Sequence, residues 1–444
     1  MKKQIAFCLA LFASITLFGQ SQEEVSFNKS YENITLDKSN VVKFTLKLDK
    51  SGIYKISLLQ QGIALYYNLT DETNKQVFEC NLPEDIEGYE KFDYQPTKSG
   101  TFTLTIKRFD NPENTEIGKF TLLVTSLSKT EIAIRQKIKA DLVAENKKNV
   151  QTIDIDHFWE AYDNLKICKT FADSTNSFQK LYLDKATDGL LDFIQVRDFT
   201  AEKFVGLAAK YPKFYGSIRK NTFQTKKAEA VIDSVFTKFK ELYPYFKPFK
   251  VCFAMGILNT GGTVSNNFVL IGSEITTSTI DVDLSEFGGN EFSKNLSSKG
   301  DIVQKIKSMI AHECVHTQQK RPLETDFKCE LLYRVMREGF CDFVGSLVTD
   351  NKLGSNHDYG DKNENQIWAE LKNELCNSNT GNWLYNYSSV KNKPADLGYY
   401  VGYKIAEEYY KNAADKKQAI TDIIEMTDPL KFLALSKYDQ KPKK

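Results

Sequence analysis

Residues 301–320 read DIVQKIKSMIAHECVHTQQK, and this stretch decides the fold of the chain around it. It contains no proline or glycine and many residues that favour helices, so it predicts one continuous helix. Three isoleucines spaced four residues apart, from Ile302 to Ile310, share one face of that helix, and Glu313 lies among them. A carboxylate on an apolar face is costly unless something pairs with it. The pattern therefore indicates a helix that carries a polar site at the edge of a core.

Within this helix, residues 312–316 form the pattern HExxH. His312 and His316 lie one turn apart on one face, where two imidazoles can bind a single Zn²⁺. The neighbouring Glu313 can act as general base on the water that such a metal activates. A helix with two surface histidines is the alternative, but it needs a hidden partner for Glu313. We therefore expect Zn²⁺ as cofactor, His312 and His316 as its ligands, and Glu313 as a catalytic residue.

A catalytic zinc usually has three protein ligands and one position open to water. Residues 329–349 predict a second helix, with Glu338 and Asp342 four residues apart at the edge of its apolar arc. We expect Glu338 to complete the ligand set and Asp342 to accept the second N–H of a ligand histidine. Gly339, unfavourable inside a helix, would let another helix approach closely. A surface ion pair with a nearby basic residue is the alternative role for Asp342.

The remaining candidates for the third ligand have weaker support. His157 lies far upstream in a helical pattern, and His357 lies in the polar stretch 354–358, which predicts a loop. Either histidine could still reach the site in three dimensions. The acidic alternatives are Glu324, Asp326 and Glu330.

The spacing of these residues resembles a known group of enzymes. HExxH followed 22 residues later by Glu338, which opens ExxxD, resembles the gluzincin metallopeptidases. More narrowly, HECVHTQQ at 312–319 with EGFCDFV at 338–344 resembles exported bacterial proteins described as predicted zinc-dependent proteases. GGTVS at 261–265 and DLGYYVGY at 396–403 are similar to that family too. The resemblance implies a zinc peptidase that hydrolyses peptide or protein substrates.

The same resemblance implies that substrate binds near a strand that precedes the zinc helix. Residues 249–255 and 268–271 (FKVCFAM and FVLI) predict two strands around a glycine-rich stretch. In zincins an edge strand above the zinc helix pairs with extended substrate, and the segment 262–272 is the candidate here. An ordinary hairpin loop is the alternative. The candidate substrate-binding residues are Gly262, Thr263 and Ser265.

Five tyrosines between positions 397 and 410 could supply a hydroxyl group to the site. Hydrolysis builds negative charge on the carbonyl oxygen, and a tyrosine O–H beside the metal can stabilise it. Tyr399, Tyr400 and Tyr403 are the candidates, and we expect Tyr399 or Tyr403 to be catalytic. Packing as half-buried helix aromatics is the more common role of such residues.

The chain of 444 residues is long enough for two or three domains. Residues 22–127 alternate apolar and polar positions, as in Val42 to Leu48, and predict an antiparallel β-sandwich that resembles the bacterial pre-peptidase domain. Residues 128–150 predict a helical linker. Residues 151–444 predict a mainly α-helical, zincin-like metallopeptidase domain with a small β-sheet. The expected fold is therefore multidomain.

The first 21 residues have the pattern of a signal peptide, with two lysines, an apolar run from Ile5 to Phe18 and a small-x-small site. We therefore expect an exported bacterial protein, periplasmic or secreted, with no transmembrane segment in the mature chain. The formal net charge of +1 gives no support for a nucleic-acid partner. Seven cysteines remain after cleavage without a CxxC pair, so at most an isolated disulfide is expected. The oligomeric state stays undetermined.

Two non-enzymatic hypotheses stand beside the peptidase. One is a zinc protein of the cell envelope that uses the same ligands for a structural or binding role. The other is a β-sandwich binding module that carries a degenerate helical domain. Inactive descendants of metallopeptidases usually lose the glutamate or a histidine of the motif, and this chain keeps all three, which favours the enzyme.

Overall fold

The computed structural model describes residues 23–80, 86–109, 115, 117–297, 299–320, 329–354, 356–387, 389–390 and 393–440. The expected signal peptide lies outside these residues. The chain divides into two compact units after Ile132. In the described part of the chain, no helix combines the length and the apolar character that crossing a bilayer requires.

Alternation of apolar and polar side chains builds the first unit from strands. In chain order these are β1 (Glu23–Glu24), β2 (Ser30–Leu36), β3 (Val41–Leu48), β4 (Tyr54–Gln61), β5 (Leu65–Thr70), β6 (Gln76–Cys80), β7 (Glu87–Tyr94), β8 (Gly100–Arg108) and β9 (Gly118–Ser126). They form two sheets, ordered β1-β3-β8-β5-β6 and β2-β9-β4-β7. Among these strands, β1 and β3 run parallel and the other pairs are antiparallel. Inward residues of both sheets, such as Leu46 and Ile56, share one core, which confirms the predicted sandwich.

After β9 the apolar period changes and the chain becomes mainly helical. The first helices are α1 (Lys129–Asp141), α2 (Val143–Asn146), α3 (Ile153–Asn164), α4 (Phe171–Leu181), α5 (Asp188–Arg197), α6 (Ala201–Lys210), α7 (Pro212–Thr222) and α8 (Glu229–Leu242). After the small sheet follow α9 (Ser273–Thr276), α10 (Glu291–Leu296), α11 (Ile302–Gln318), α12 (Glu330–Thr349), α13 (His357–Lys372), α14 (Leu397–Asn412), α15 (Lys416–Ile424) and α16 (Pro429–Ser436). The small sheet consists of β10 (Val150–Gln151), β11 (Lys250–Ala254), β12 (Gly262–Val264) and β13 (Phe268–Gly272).

Two continuous apolar runs form the centre of the small sheet, β11 and β13. They pair in parallel, and β12 pairs antiparallel with β13, so the order is β10-β11-β13-β12. Alternate residues of β11 face two cores: Val251 points to the core that contains α11 and α12, and Cys252 to the core built from α3 to α7. Because both faces are covered, these strands are apolar apart from Lys250 at the start of β11. The two predicted strands are confirmed, and they are parallel neighbours rather than the two arms of one hairpin.

The crossing of α12 and α14 depends on two glycines. A Cβ added at Gly339 would overlap the backbone of Gly402 and Tyr403, and a Cβ added at Gly402 would overlap the carbonyl oxygen of Val335. The two helix backbones are therefore in direct contact, as the glycine inside the predicted second helix indicated. This contact fixes the position of the helix that carries Glu338.

The start of α12 is tied to the chain that follows α13. Cys329, the residue before α12, forms a disulfide with Cys376. Two main-chain bonds lie beside it, since Leu331 N donates to Asn377 O at 3.1 Å and the next amide donates to Leu375 O at 3.0 Å. The isolated disulfide that the cysteine pattern allowed is therefore present, and it anchors a helix of the candidate site.

Candidate metal centre

The helix α11 presents the HExxH residues as its sequence predicts. The Asp301 side chain caps the helix by accepting a hydrogen bond from Gln304 N at 3.2 Å. The isoleucines and Glu313 are buried, and His312 and His316 are partly buried at the edge of the apolar face. The core thus holds one face of α11 and leaves the two imidazoles at its boundary.

The predicted third ligand lies against both histidines. Glu338 Oε2 is 3.2 Å from His316 Nε2 and 3.6 Å from His312 Nε2. A tetrahedral zinc with bonds of about 2.0–2.2 Å holds its ligand atoms roughly 3.4 Å apart. Two imidazole nitrogens and one carboxylate oxygen at these separations therefore fit a catalytic zinc site.

The second nitrogen of each imidazole also has a partner. His312 Nδ1 lies 2.8 Å from Asp342 Oδ1, the contact that the spacing of α12 predicted. His316 Nδ1 lies 2.9 Å from Gln319 Oε1, and the Gln319 amide donates to Arg337 O at 2.8 Å. These partners orient both rings so that their Nε2 atoms face Glu338. The role of Gln319 was missed, because its contact depends on how the chain leaves α11.

Tyr385 holds the other oxygen of Glu338 and is a second residue that the sequence analysis missed. Its hydroxyl donates to Glu338 Oε1 at 2.7 Å. The backbone of Tyr385 has a φ of 56°, in the left-handed region that a bulky residue adopts only when its surroundings impose it. The hydrogen bond leaves Oε2 directed at the histidines.

The pKa shifts of His312 and Glu338 indicate a site suited to a cation. Burial opposes the charged form of His312, but hydrogen bonds to Asp342 and Glu338 hold its pKa well above the ordinary value. Burial also opposes the charge of Glu338, yet the two imidazoles hold the pKa of this carboxyl well below its usual range. Positive charge between these residues is therefore strongly favoured, and a divalent ion supplies it in place of protons.

Glu313, the candidate general base, lies against the edge strand of the small sheet. Burial raises the pKa of Glu313, which makes its carboxylate a stronger base. A Cβ added at Gly262 in β12 would lie 2.6 Å from Glu313 Oε1 and 2.7 Å from Met309 Sδ. The absence of a side chain at Gly262 therefore lets β12 lie directly on Glu313 without displacing it.

The other two candidate substrate residues contact α5. Thr263 Oγ1 accepts a hydrogen bond at 3.0 Å from Nη2 of Arg197, a residue that the sequence analysis did not select. Burial lowers the pKa of Arg197, while Glu313 acts in the opposite direction. Ser265 Oγ donates to Asp192 Oδ2 at 2.6 Å and accepts from Phe268 N at 3.0 Å, so it shapes the turn after β12. Of the three candidates, Gly262 lies against Glu313. Thr263 binds the guanidinium group of Arg197 and so places a positive charge beside β12.

The two candidate catalytic tyrosines occupy different environments. The Tyr399 ring lies nearly parallel to that of His312, with centroids 6.1 Å apart. The Tyr403 ring packs against His357 at 4.6 Å and against Phe343 at 5.4 Å. The structure therefore brings Tyr399, and not Tyr403, to the ligand histidines. Tyr400 donates to Asp361, away from them.

The alternative third ligands lie elsewhere or outside the described residues. His357 begins α13 rather than lying in a loop, and its Nε2 donates to Leu353 O at 2.6 Å. His157 lies 3.8 Å from Asp154 on α3, and Glu330 pairs with Arg334 at 2.7 Å. Glu324 and Asp326 fall in the segment that the structure does not describe.

Cys341 is the remaining competitor for the metal. In the described chain, His312, His316 and Cys341 also form a group with donor atoms close enough to share an ion. Cys341 Sγ, however, lies 3.3 Å from His316 Nδ1, the nitrogen that faces Gln319 rather than Glu338. The thiol also donates a hydrogen bond to Arg337 O at 3.2 Å. Burial also raises the pKa of this thiol well above its usual value. The Glu338 set is the better fit, because it uses the two Nε2 atoms and an ionised oxygen.

The two helices bring together His312, His316, Glu313 and Glu338, the set of residue types that zinc metallopeptidases of the HExxH class use. Residues 292–427, which include both helices of the centre, match a family described as "Predicted Zn-dependent protease" (DUF2268). The first unit is similar to the pre-peptidase C-terminal domain of collagenase from Bacillus anthracis, with 17% identity over 25% of this chain and 100% of that chain and a TM-score of 0.20. No curated protein sequence matches the chain. The family match agrees with the resemblance to predicted zinc-dependent proteases that was stated from the sequence.

Proposed function

We propose that the protein is a zinc-dependent peptidase of gluzincin type, with His312, His316 and Glu338 as its metal ligands. The observation that carries this proposal is the approach of one Glu338 oxygen to both Nε2 atoms, at 3.2 and 3.6 Å. When bound, Zn²⁺ lowers the pKa of a water molecule and polarises a peptide carbonyl. The match to a family of predicted zinc-dependent proteases supports the same activity.

The chain's own residues supply the proton transfers and the orientation. Glu313 accepts the proton of the attacking water and later delivers it to the leaving amine. Asp342 and Gln319 keep the two imidazoles turned toward Glu338, and Tyr385 keeps one Glu338 oxygen engaged. Tyr399 is the candidate donor to the carbonyl oxygen as negative charge develops on it.

An extended peptide or protein segment is the proposed substrate. In the described sheet β12 is the last strand and pairs on one side with β13, so its other side can bond a substrate main chain. Gly262 in this strand lies on Glu313, which brings a bound peptide bond to the general base. Neither the composition nor the site supports a nucleic-acid substrate.

We also propose that the protein acts outside the cytoplasm. The lysine pair, apolar run and small-x-small site at the start of the sequence support export. The disulfide between Cys329 and Cys376 is consistent with an oxidising compartment.

A comparison of Glu313→Gln with the wild-type chain tests the activity. Both proteins should bind one zinc per chain, and only the wild type should cleave members of a peptide library, in a reaction that a chelator stops. The control His316→Ala should lose zinc and activity together. Stoichiometric zinc without turnover in the wild type would instead support the non-catalytic zinc protein. Full activity of the Gln variant would contradict the role of Glu313.

A further inference from the structure

A buried carboxylate outside the metal centre bonds the loop that leads into β12. Glu274, on the short helix α9 after β13, is 0% exposed. Its Oε2 accepts a hydrogen bond from Gly256 N at 2.7 Å, and its Oε1 accepts one from Leu258 N at 3.1 Å. Both amides belong to residues 255–261, which we call the β11–β12 loop.

The loop is shaped around this carboxylate. A Cβ added at Gly256 would lie 2.7 Å from Glu274 Oε1, so a side chain at this position would displace the carboxylate. Leu258 has a φ of 61°, a left-handed conformation that leucine adopts only under constraint from its surroundings. A carboxylate can accept from both amides at once, whereas the side-chain amide of glutamine has one acceptor oxygen. An acid is therefore the residue that satisfies this loop.

The end of the loop is held by hydrogen bonds from α9 and from the end of β13. Gly261 O accepts hydrogen bonds from Thr276 Oγ1 at 2.8 Å and from Gly272 N at 3.0 Å. The next residue is Gly262, which lies on Glu313. The loop ends at Gly261 and β12 begins at Gly262. A displacement of the loop would therefore also displace the strand that lies on Glu313.

We propose that Glu274 is a positioning residue that clamps the β11–β12 loop, so that β12 presents its main chain to an extended substrate beside Glu313. Glu274 itself touches neither the metal ligands nor the substrate strand. The effect on catalysis rests on the proposed peptidase function. The effect on the loop rests only on the contacts of Glu274.

The test compares Glu274→Gln and Gly256→Ala, which break the clamp from its two sides, with Asp154→Asn as a matched control. Asp154 is also 0% exposed, and it accepts from Thr187 N and Thr187 Oγ1 at the start of α5 and from Cys252 Sγ in β11, but from no amide of the loop. Hydrogen exchange followed by mass spectrometry reports on residues 255–264 in each protein. KM and kcat are measured with a long peptide that can span β12 and with a short one that cannot.

The measurements are made at about pH 8, where Glu274 is ionised, and there the loss of one charge-assisted bond corresponds to about tenfold in an equilibrium constant. Both clamp variants should exchange faster in residues 255–264 and raise KM for the long peptide about tenfold, with bound zinc unchanged and little effect on the short peptide. The double variant should add nothing further, because both changes break one contact. Asp154→Asn should leave these quantities at wild-type values.

Unchanged exchange of residues 255–264 in Glu274→Gln would overturn the clamp, whether or not the wild type is a peptidase. An equal loss of kcat/KM for both peptides would overturn its link to the substrate strand. If Glu274→Gln does not fold, Gly256→Ala and the milder Thr276→Val decide by the same measurements. A wild type that cleaves no peptide contradicts the proposed function alone, since hydrogen exchange still decides the clamp.

Discussion

Replacing Glu274 with glutamine should change how the stability of the second unit depends on pH. Burial raises the pKa of Glu274 from an ordinary 4.5 to about 7, against the hydrogen bonds that the loop amides donate. A carboxyl with a higher pKa in the folded state binds its proton more tightly there than in the unfolded chain. Glu274 therefore stabilises the fold most at low pH, and this contribution is lost as the pH rises through about 7. Glutamine has no proton to lose.

The magnitude follows from the two pKa values. Between them, one proton changes the free energy of unfolding by about 1.4 kcal/mol for each pH unit. The interval from 4.5 to about 7 therefore corresponds to roughly 3 kcal/mol. Tyr182 and Tyr215 lie close enough to Glu274 to interact with its charge. Both stay neutral between pH 4.5 and pH 8, because burial raises their pKa values well above 10.0. The variant's free energy of unfolding, relative to the wild type, should rise by roughly 2.5 kcal/mol between pH 5 and pH 8, because part of the change already lies below pH 5.

Urea titrations followed by tryptophan fluorescence measure this difference selectively. All three tryptophans, at positions 159, 368 and 383, lie in the second unit. A chelator in every sample removes the separate pH dependence of zinc binding, and titrating groups that the two proteins share cancel in the comparison. A stability difference that stays flat, or falls, from pH 5 to pH 8 would refute the reasoning.

Three further substitutions test contacts at the site. Tyr385→Phe removes the hydroxyl that donates to Glu338 and should weaken zinc affinity about 10- to 100-fold in a competition with a chromogenic chelator; unchanged affinity would contradict its role. Gly262→Ala would bring a Cβ to 2.6 Å from Glu313 Oε1 and should lower kcat/KM about 100-fold with zinc retained. Gly339→Ala separates α12 from α14 and should destabilise the second unit by about 3 kcal/mol in urea, and wild-type stability would disprove the close crossing.

The ligand helices could be predicted because their signals are local. Helical spacing alone places His312 with His316 and Glu338 with Asp342. A carboxylate on an apolar face then indicates a nearby cation. These arguments need only the periodicity of two segments and one family resemblance, and the structure brings the four side chains together. The β-sandwich could be predicted for the same reason, since alternation with period two is visible within each strand.

The residues that were missed depend on contacts that no local pattern contains. Arg197 reaches the edge strand from the end of α5, and Tyr385 reaches Glu338 from an irregular segment with a left-handed backbone. Tyr399 and Tyr403 could not be separated, because residues four apart share one helix face. They lie about 6 Å apart along the axis, which is enough to place one beside His312 and the other beside His357.

The buried acidic residues show why some site residues cannot be predicted from the sequence. A buried carboxylate needs a partner, and Glu338 has two of its partners in His312 and His316, which the HExxH spacing marks in the sequence. The partners of Glu274 are backbone amides, which every residue except proline carries, so nothing in the sequence marks them. Only the glycine at 256 and the left-handed leucine at 258 show that the chain is shaped around this acid, and both acquire that meaning only in three dimensions. The need of a buried carboxylate for a partner therefore marks Glu313 in the sequence as a candidate general base, but it does not mark Glu274, the proposed positioning residue.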